Sequence, residues 1–251
     1  MISTHERARL SVLPTVNIGD LEILNCTLED GLDLISWIIE FESPAQVVFV
    51  NTHVVNKIHR TALSPILRET LKFNDGIGME IAARLNGCRF AQNLNGTDFL
   101  PHLLHRAWSQ HWGVYVYGAR KTALEAFIQK ASALFPGLEL SGTDGYSNVP
   151  VAHLIDDIRA SGAHILLVAL GVPGQELWLN AHLQQTGCLV GIGVGAFIDM
   201  YGETIPRAPR IWRSARCEWL WRLIHEPRRL WRRYLVEGPG FLWWTLSNRG
   251  G

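Results

Sequence analysis

Residues 164–194 read HILLVALGVPGQELWLNAHLQQTGCLVGIGV and contain the pattern that decides the fold. Two short apolar runs, 164–170 and 188–194, have the Val, Ile and Leu content of strands that are buried on both faces. Between them, residues 175–186 carry apolar side chains at helical spacing. A buried strand, a helix and a second buried strand predict two parallel strands joined by a helical crossover.

The same alternation runs through the preceding part of the chain. Apolar runs predict strands at 46–50, 114–117 and 138–141, helical patterns occur at 52–61, 77–86, 98–111, 121–134 and 150–161, and residues 21–40 read as a strand followed by a helix. We therefore predict an α/β fold in which helices cover both faces of a mostly parallel sheet. A change of composition near residue 206 divides the chain into a core, 1–206, and a basic C-terminal segment, 207–251.

The charges are unevenly distributed although the formal net charge is zero. Residues 1–206 hold 13 Lys and Arg against 20 Asp and Glu, whereas residues 207–251 hold 10 against 3 and six of the ten Trp residues. Arg with Trp is typical of a surface that meets lipid head groups, so a peripheral membrane contact is predicted. A tail folded back on the core is the alternative. Nucleic acid is not expected as a partner, because the acidic body would repel a polyanion.

Several other classes of protein are disfavoured. The four cysteines form no Cys-x-x-Cys pair and no cluster with zinc spacing, which predicts reduced, mostly buried thiols in a cytosolic protein. No uncharged apolar run approaches about 20 residues, so no membrane-spanning helix is predicted. Residues 1–12 lack the apolar stretch of a signal peptide. No Asp-x-Asp pair is present, and the adjacent Asp156 and Asp157 are expected on a solvated helix face.

Four glycine-rich loops follow predicted strands, at 117–120, 141–147, 170–176 and 193–197. Ligands of open α/β sheets bind at the carboxyl ends of the strands, where glycine lets the backbone approach a phosphate. The succession of loops favours a nucleotide or phosphosugar ligand. None has the GxxxxGK[ST] or GxGxxG spacing, which disfavours an oxidoreductase that uses NAD or flavin.

Residues 72–87, KFNDGIGMEIAARLNG, place Asp75 before a Gly-x-Gly at the start of an apolar helix. Asp is a favoured N-cap, and Ile77, Ile81 and Leu85 would then face a core. Capping does not require two glycines, so we expect something other than a side chain to come close to this backbone. Asp75 is accordingly a helix cap, a functional carboxylate, or both.

Six motifs occur in a distinctive order: NDGIG (74–78), NGTDFLPHLL (95–104), GTDGY (142–146), GQE (174–176), GVGAFID (193–199) and RAPR…EW…R…EPRRLWRRY (207–234). As a set they resemble the WecG/TagA/CpsF family of bacterial glycosyltransferases, glycosyltransferase family 26, over about residues 18–245. The resemblance implies a Rossmann-like core with a helical C-terminal appendage that packs over the active site and meets the membrane.

The implied activity is an inverting transfer of a hexose, of N-acetylmannosamine or glucose type. The donor is a UDP-sugar and the acceptor a polyprenyl-diphosphate-linked sugar of surface-polysaccharide biosynthesis, at the cytoplasmic face of the bacterial inner membrane. No cofactor and no metal are expected, and a homo-oligomer is left open. The alternative is a non-catalytic nucleotide-sugar-binding protein of a polysaccharide assembly pathway.

The resemblance also assigns residues. Asp75 matches the family's general base, which takes the proton of the attacking hydroxyl. Arg222 matches a catalytic arginine of the appendage, where cations would stabilise the leaving diphosphate. Substrate binding is assigned to a larger set: Asn51, Gly142, Asp144, Tyr146, Gln175, Glu176, Gly193, Gly195, Asp199, Arg229 and Arg232.

Roles outside substrate binding and catalysis are the alternative for most of these residues. Asn51, Gln175 and Glu176 can be helix caps or surface polar residues, Asp199 can end a strand, and the arginines can face a membrane. Asp98 is expected to cap its own helix. The chain departs from the family pattern where Gly174 replaces a Lys, Phe49 replaces a frequent Thr, and Arg216-Cys217 replaces Gly-Leu, all near the donor pocket or the appendage.

Overall fold

A computed structural model describes residues 13–203, 208–209, 212 and 218–248, with Arg229 described by its backbone only. Within these residues the strands are β1 Thr15–Ile18, β2 Leu21–Leu24, β3 Ala45–Val50, β4 Leu71–Asn74, β5 Val114–Gly118, β6 Leu140–Thr143, β7 Ile165–Ala169 and β8 Val190–Gly193. They form one sheet in the order β1-β2-β4-β3-β8-β7-β5-β6. β1 and β2 are antiparallel and every other neighbouring pair is parallel, which confirms the predicted α/β class.

Helices separate the strands and continue into the appendage. In the core they are α1 Leu28–Glu40, α2 Thr52–Val54, α3 Ile77–Leu85, α4 Gly96–Ser109, α5 Lys121–Leu134, α6 Val151–Ala160, α7 Gly174–Thr186 and α8 Phe197–Tyr201. In the appendage they are α9 Glu218–His225, α10 Pro227–Trp231 and α11 Gly238–Ser247. Two π-helical turns, Val55–His59 and Arg232–Glu237, extend α2 and α10, and Ser64–Leu67 forms a 3₁₀ turn.

The central parallel strands β3, β5, β7 and β8 are buried on both faces, which explains their continuous apolar sequences. In β3, Val47 and Phe49 join the core cluster on one face of the sheet, and Val48 and Val50 join the cluster on the other. Side chains alternate across a strand, so one run of apolar residues fills both layers. Helices therefore cover both faces, as predicted.

The structure corrects the predicted elements in three places. Residues 52–61 form only the short α2 and a π-helical turn, and the strand expected at 138–141 lies at Leu140–Thr143. β1 and β4 were not predicted, because each has only four residues and their sequences, TVNI and LKFN, interrupt the apolar pattern with a polar residue. β4 matters most, since Asp75 follows it directly.

The appendage packs against the core through its last helix. Phe241 of α11 is fully buried in the cluster that contains Ile18 and Ile23, so the tail does fold back on the core. The predicted boundary at residue 206 lies outside the described residues, and the division into two domains stays a prediction. Of the cysteines, Cys26 and Cys188 are buried and Cys88 is exposed, while Cys217 lies outside the described residues.

Candidate active site

A cavity of about 680 Å³ opens at the carboxyl edge of the sheet, a size typical of small-molecule sites. β3 pairs with β4 on one side and with β8 on the other, so the chain changes direction at this point and leaves a crevice. Residues from the ends of β3, β5, β6, β7 and β8 line the cavity, and the appendage closes it with Arg222, Leu230 and Arg233. All four glycine-rich loops contribute, as predicted.

Asp75 lies in this cavity and does not cap a helix. Its backbone N–H donates to Val50 O at 2.8 Å, which extends the pairing of β4 with β3 by one residue. Its Oδ2 accepts a hydrogen bond of 2.9 Å from Asn51 Nδ2. The N-cap of α3 is Gly76, without a side-chain cap, so the capping hypothesis for Asp75 is wrong.

Glycine is needed at the two positions of this motif for different reasons. Gly76 has a φ of +87°, a conformation that L side chains rarely adopt. A Cβ on Gly78 would lie 2.3 Å from Thr52 Cγ2, so this glycine lets α3 approach α2. The expectation that something other than a side chain comes close to Gly78 is therefore wrong.

The apolar face of α3 was also misplaced. Met79, Ala82 and Ala83 are fully buried, whereas Ile77, Ile81 and Leu85 are only half-buried. The small alanines allow the helix to lie against the cluster that includes Phe241 of the appendage. Helical spacing alone did not distinguish these two neighbouring stripes.

Asn51 combines its two predicted roles. Its Oδ1 caps α2 by accepting hydrogen bonds from the backbone N–H groups of His53 (3.0 Å) and Val54 (3.1 Å). Its Nδ2 is thereby turned toward Asp75. The cap fixes the amide orientation, and the amide in turn fixes the carboxylate.

The groups around Asp75 shift its pKa in opposite directions. Burial raises the pKa of Asp75 above its ordinary value, while the hydrogen bond from Asn51 and the charges of Arg222 and Arg233 lower it. The negative charge of Glu218 raises the same pKa, and Glu218 also accepts a hydrogen bond of 3.2 Å from Arg222 Nη2. The outcome is a carboxylate more basic than an exposed Asp and oriented by an amide, which suits a proton acceptor.

Gln175 and Glu176 are buried rather than at the surface, and neither is the N-cap of α7, which is Pro173. Gln175 Oε1 accepts from Gly195 N at 3.0 Å, and its Nε2 donates to Glu176 Oε1 at 2.8 Å. A Cβ on Gly193 would lie 2.5 Å from Gln175 Nε2, so glycine is needed there. Gln175, which is oriented by Glu176, thus fixes the loop after β8.

Burial raises the pKa of the Glu176 carboxyl to about 7. The residue is 1% exposed, and its Oε2 has no hydrogen-bond partner in the described part of the chain. Unlike Asp75 and Gln175, Glu176 does not line the cavity. It lies behind Gln175.

The remaining predicted residues divide into two groups. Tyr146, Gly195 and Asp199 line the cavity, and Asp199 lies in α8 rather than at the end of a strand. Gly142 lies inside β6, where a Cβ would be 2.5 Å from Val116 O, and does not line the cavity.

Asp144 and Asp98 form hydrogen bonds within their own segments of the chain. Asp144 Oδ1 accepts from the backbone N–H groups of Tyr146 and Ser147, both at 2.9 Å, and so shapes the loop that carries Tyr146. The expectation that Asp98 is the cap of its helix is wrong. The N-cap of α4 is Asn95, whose Nδ2 donates to Asp98 Oδ2 at 2.8 Å.

The arginines of the appendage are not equivalent. Arg222 lines the cavity, as predicted. Arg232 is exposed and lies outside the cavity lining, whereas the adjacent Arg233 lines it. The side chain of Arg229 lies outside the described residues. Adjacent positions of a helix point in different directions, and the motif match did not show which arginine faces inward.

Three ionisable residues of the cavity lining were missed by the sequence analysis: His53, Arg120 and Arg233. The first follows Asn51 by two residues, and the second ends the YGAR loop, so position after a strand was the available signal. In the described ranges, no three His, Cys, Asp or Glu side chains form a group that could hold a metal ion. In the same ranges no helix has the length and apolar character needed to cross a bilayer.

Comparison with known proteins agrees with this geometry. The profile described as "Glycosyl transferase WecG/TagA/CpsF family" matches residues 16–250. Two similar relatives are named N-acetylglucosaminyldiphosphoundecaprenol N-acetyl-beta-D-mannosaminyltransferase. The one from Bacillus spizizenii is 33% identical and the one from Bacillus subtilis 30% identical, each over 162 residues.

These matches cover 64% of this chain and 62% of each Bacillus relative. The match therefore spans less than two thirds of their length. A relative of the same name from Staphylococcus aureus strain MW2 is 25% identical over 188 residues, 74% of each chain.

Proposed function

The chain belongs to the WecG/TagA/CpsF family of glycosyl transferases, and on that premise we propose that it transfers a hexose from a UDP-sugar to a polyprenyl-diphosphate-linked sugar with inversion. The names of the relatives favour N-acetylmannosamine as the sugar and a diphosphoundecaprenol-linked N-acetylglucosamine as the acceptor. The observation that carries the proposal is the Asp75–Asn51 pair in a cavity bordered by glycine-rich loops and arginines.

In the proposed reaction, the acceptor hydroxyl oxygen attacks the anomeric carbon of the donor. The bond from that carbon to the diphosphate oxygen breaks, the hydroxyl proton passes to Asp75, and UDP leaves with the electron pair. A hydroxyl is a weak nucleophile, so a carboxylate within hydrogen-bond reach lowers the barrier. The hydrogen bond from Asn51 Nδ2 occupies Oδ2 and leaves Oδ1 to receive the proton.

The departing diphosphate requires positive charge. Arg222 and Arg233 enter the cavity from the appendage, and Arg120 enters from the loop after β5. Guanidinium groups can bind phosphate oxygens in bidentate fashion and stabilise charge that develops in the transition state. We therefore expect turnover to persist in EDTA. Loss of activity in EDTA with recovery in Mg²⁺ or Mn²⁺ would count against this account.

The direct test incubates the full chain with UDP-N-acetylmannosamine or UDP-glucose and a polyprenyl-diphosphate-linked N-acetylglucosamine. Release of UDP together with a glycolipid heavier by the donor's sugar residue supports the proposal. Binding of UDP-sugar without product supports the alternative, a non-catalytic sugar-nucleotide-binding protein. Absence of both binding and product rejects both functions.

We also propose that the appendage contacts the membrane surface. Large apolar side chains on it are exposed, among them Trp231 (51%) and Trp243 (74%). The exposed Arg228 and Arg232 accompany them. Aromatic rings at head-group level and arginines paired with phosphates favour this contact, and each basic residue contributes about 1 kcal/mol near an anionic surface.

Point substitutions test the membrane contact better than truncation, because removing α11 would also remove the buried Phe241. We expect the full chain to sediment with anionic vesicles and to be released by salt. Trp231→Ser combined with Trp243→Ser should weaken sedimentation. Trp108→Ser, at a partly exposed Trp of the core, is the matched control. Equal sedimentation of all three proteins would place the contact elsewhere.

A further inference from the structure

Four ionisable residues meet where the core joins the appendage, and the proposed mechanism does not use them as a group. His53 and Lys57 come from α2 and the π-helical turn that follows it, and Arg233 and Glu237 come from the π-helical turn of the appendage. His53 and Arg233 both line the cavity. π-helical turns occur frequently at functional sites.

Glu237 is directed toward the core. Its Oε2 lies 3.3 Å from His53 Nδ1, and its Oε1 lies 3.9 Å from Lys57 Nζ. Its backbone O accepts a hydrogen bond of 2.9 Å from Asn56 Nδ2. This one residue therefore joins three core side chains to the segment that carries Arg233. We call the contact between Glu237 and His53 the clasp.

Arg233 is a cation at the cavity that forms no salt bridge with any residue that the structure describes. Glu237 lies four residues further on, a spacing at which acidic and basic residues of a helix often pair, but its carboxylate pairs with His53 and Lys57 instead. The Nε of Arg233 is buried and has no hydrogen-bond partner within the described residues. The charge of Arg233 lowers the pKa of both Asp75 and His53, which places the guanidinium within electrostatic reach of both.

We propose that the clasp is a positioning device that holds Arg233 beside Asp75 as a binding site for a diphosphate group. The guanidinium lies over the ring of Tyr234, 5.5 Å from its centroid, but its buried Nε–H has no acceptor within the described residues. A buried donor without a partner is costly, and diphosphate oxygens would satisfy it. The proposal rests on the proposed function, since that function supplies two diphosphates: that of the UDP-sugar and that of the lipid-linked acceptor. It assigns to Arg233 a role that the motif match assigned to Arg232.

The first experiment compares R233A, R232A and R68A in the full chain, by calorimetry with UDP and by steady-state kinetics. We expect R233A to weaken binding of a diphosphate ligand by roughly tenfold to a hundredfold, as for lost hydrogen bonds to a charged group. Weaker UDP binding identifies the donor diphosphate, and a raised KM for the lipid acceptor with unchanged UDP binding identifies the acceptor diphosphate. R68A, at an exposed arginine of the core outside the cavity lining, is the control.

Two results overturn this assignment. One is R233A with unchanged UDP binding and unchanged kinetics, and the other is R232A with the large loss while R233A resembles the wild type. A wild-type protein that neither binds UDP nor transfers sugar instead rejects the proposed function. The two failures are thus distinguishable.

The second experiment tests whether Glu237 acts through Arg233. E237A should reduce turnover, E237Q should retain more because an amide oxygen can still accept from His53, and R233A/E237A should be no worse than R233A alone. Additive losses in the double variant would mean that Glu237 has a separate structural role.

The pH profile gives a second measure of the clasp. The charged groups that face Asp75 are Arg222, Arg233 and Glu218, and those that face His53 are Arg233, Glu237 and Lys57. The acid limb of kcat should move to higher pH in R233A, which lacks the guanidinium, and in E237A, which no longer holds it beside Asp75. It should stay in place in R68A. An acid limb that stays in place in R233A would contradict the proposed proximity.

Discussion

The two halves of the cavity contain the same arrangement of side chains with different surroundings. In the half formed by β3, β4 and the appendage, Asn51 donates to Asp75 and also accepts backbone N–H groups of α2. In the half formed by the glycine-rich loops, Gln175 donates to Glu176 and also accepts the N–H of Gly195. Each half thus has a carboxyl group, an amide that orients it and a backbone segment that the amide holds.

The difference lies in access and charge. Asp75 lines the cavity, and the charges of Arg222 and Arg233 offset part of the rise that burial causes in its pKa. Glu176 lies behind the cavity wall, where burial also raises its pKa and only hydrogen bonds act in the other direction. Under the proposed function, the same pair of functional groups serves chemistry where it lines the cavity beside cations, and serves loop geometry where it lies behind the cavity wall.

The largest effect is expected for Asp75→Asn, which tests whether the two carboxyl groups differ in role. The substitution keeps the shape of the side chain and removes its ability to take a proton. We expect kcat to fall by about a hundredfold or more with an unchanged melting temperature. Asp157→Asn, at an exposed position of α6, is the matched control. Near-wild-type turnover at saturating donor and acceptor would show that Asp75 is not the base.

Asn51→Asp should have the next largest effect. The new carboxylate can still cap α2, but it replaces a hydrogen-bond donor to Asp75 with a like charge, which raises the pKa of Asp75 further. We expect kcat at pH 7 to fall by roughly tenfold to a hundredfold, the range for a hydrogen bond to a charged group. The acid limb of the pH profile should move to higher pH.

Asn95→Asp is the matched control for this change, because Asn95 also caps a helix and donates to a carboxylate, that of Asp98, without lining the cavity. If Asn95→Asp moves the acid limb as far as Asn51→Asp does, the effect on Asp75 is not local.

In the loop half, Tyr146→Ala should alter binding rather than chemistry. The ring is 72% exposed and lines the cavity, where it can stack on a base or a sugar. Stacking on a base is worth about 1–3 kcal/mol, and for so exposed a ring we expect the KM for the donor to rise by roughly fivefold to tenfold with kcat little changed. Phe41→Ala, at an exposed aromatic residue outside the cavity, is the control. A fall in kcat without a change in KM would contradict the division of roles.

Glu176→Gln should alter stability with pH and have the smallest effect on turnover. The folded-state pKa of Glu176 is about 7, above the value of 4.5 for an exposed Glu, so folding favours the protonated form. As pH rises from about 4.5 to 7, the wild type loses stability that the variant keeps. We expect the variant to melt a few degrees higher at pH 8 and at nearly the same temperature at pH 4.5. Glu125→Gln, at an exposed glutamate, is the control, and a pH-independent difference would mean that Glu176 is ionised in the folded state throughout.

Sequence reasoning located most of the framework of this site. Strands β3, β5, β7 and β8 and the glycine-rich loops were identified because burial on both faces and glycine after strands leave local patterns. Asp75 and Arg222 were singled out through the motifs that resemble the family. The four-residue β4 was missed, although it places Asp75 beside Asn51, because so short a strand has little pattern of its own. The burial of Gln175 and Glu176 was missed for a related reason, since a polar residue becomes buried only when a distant element covers it.

The sequence by itself determined the α/β class, the parallel strands and the edge of the sheet where the cavity opens, since these follow from the local periodicity of apolar residues and from glycine after strands. Only the tertiary structure decided which arginine enters the cavity. Arg232 and Arg233 are adjacent and chemically identical, and the contacts of Glu237 with His53 and Asn56, more than 180 residues away, bind their turn to the core. A choice made by such a long-range contact has no signature in local sequence.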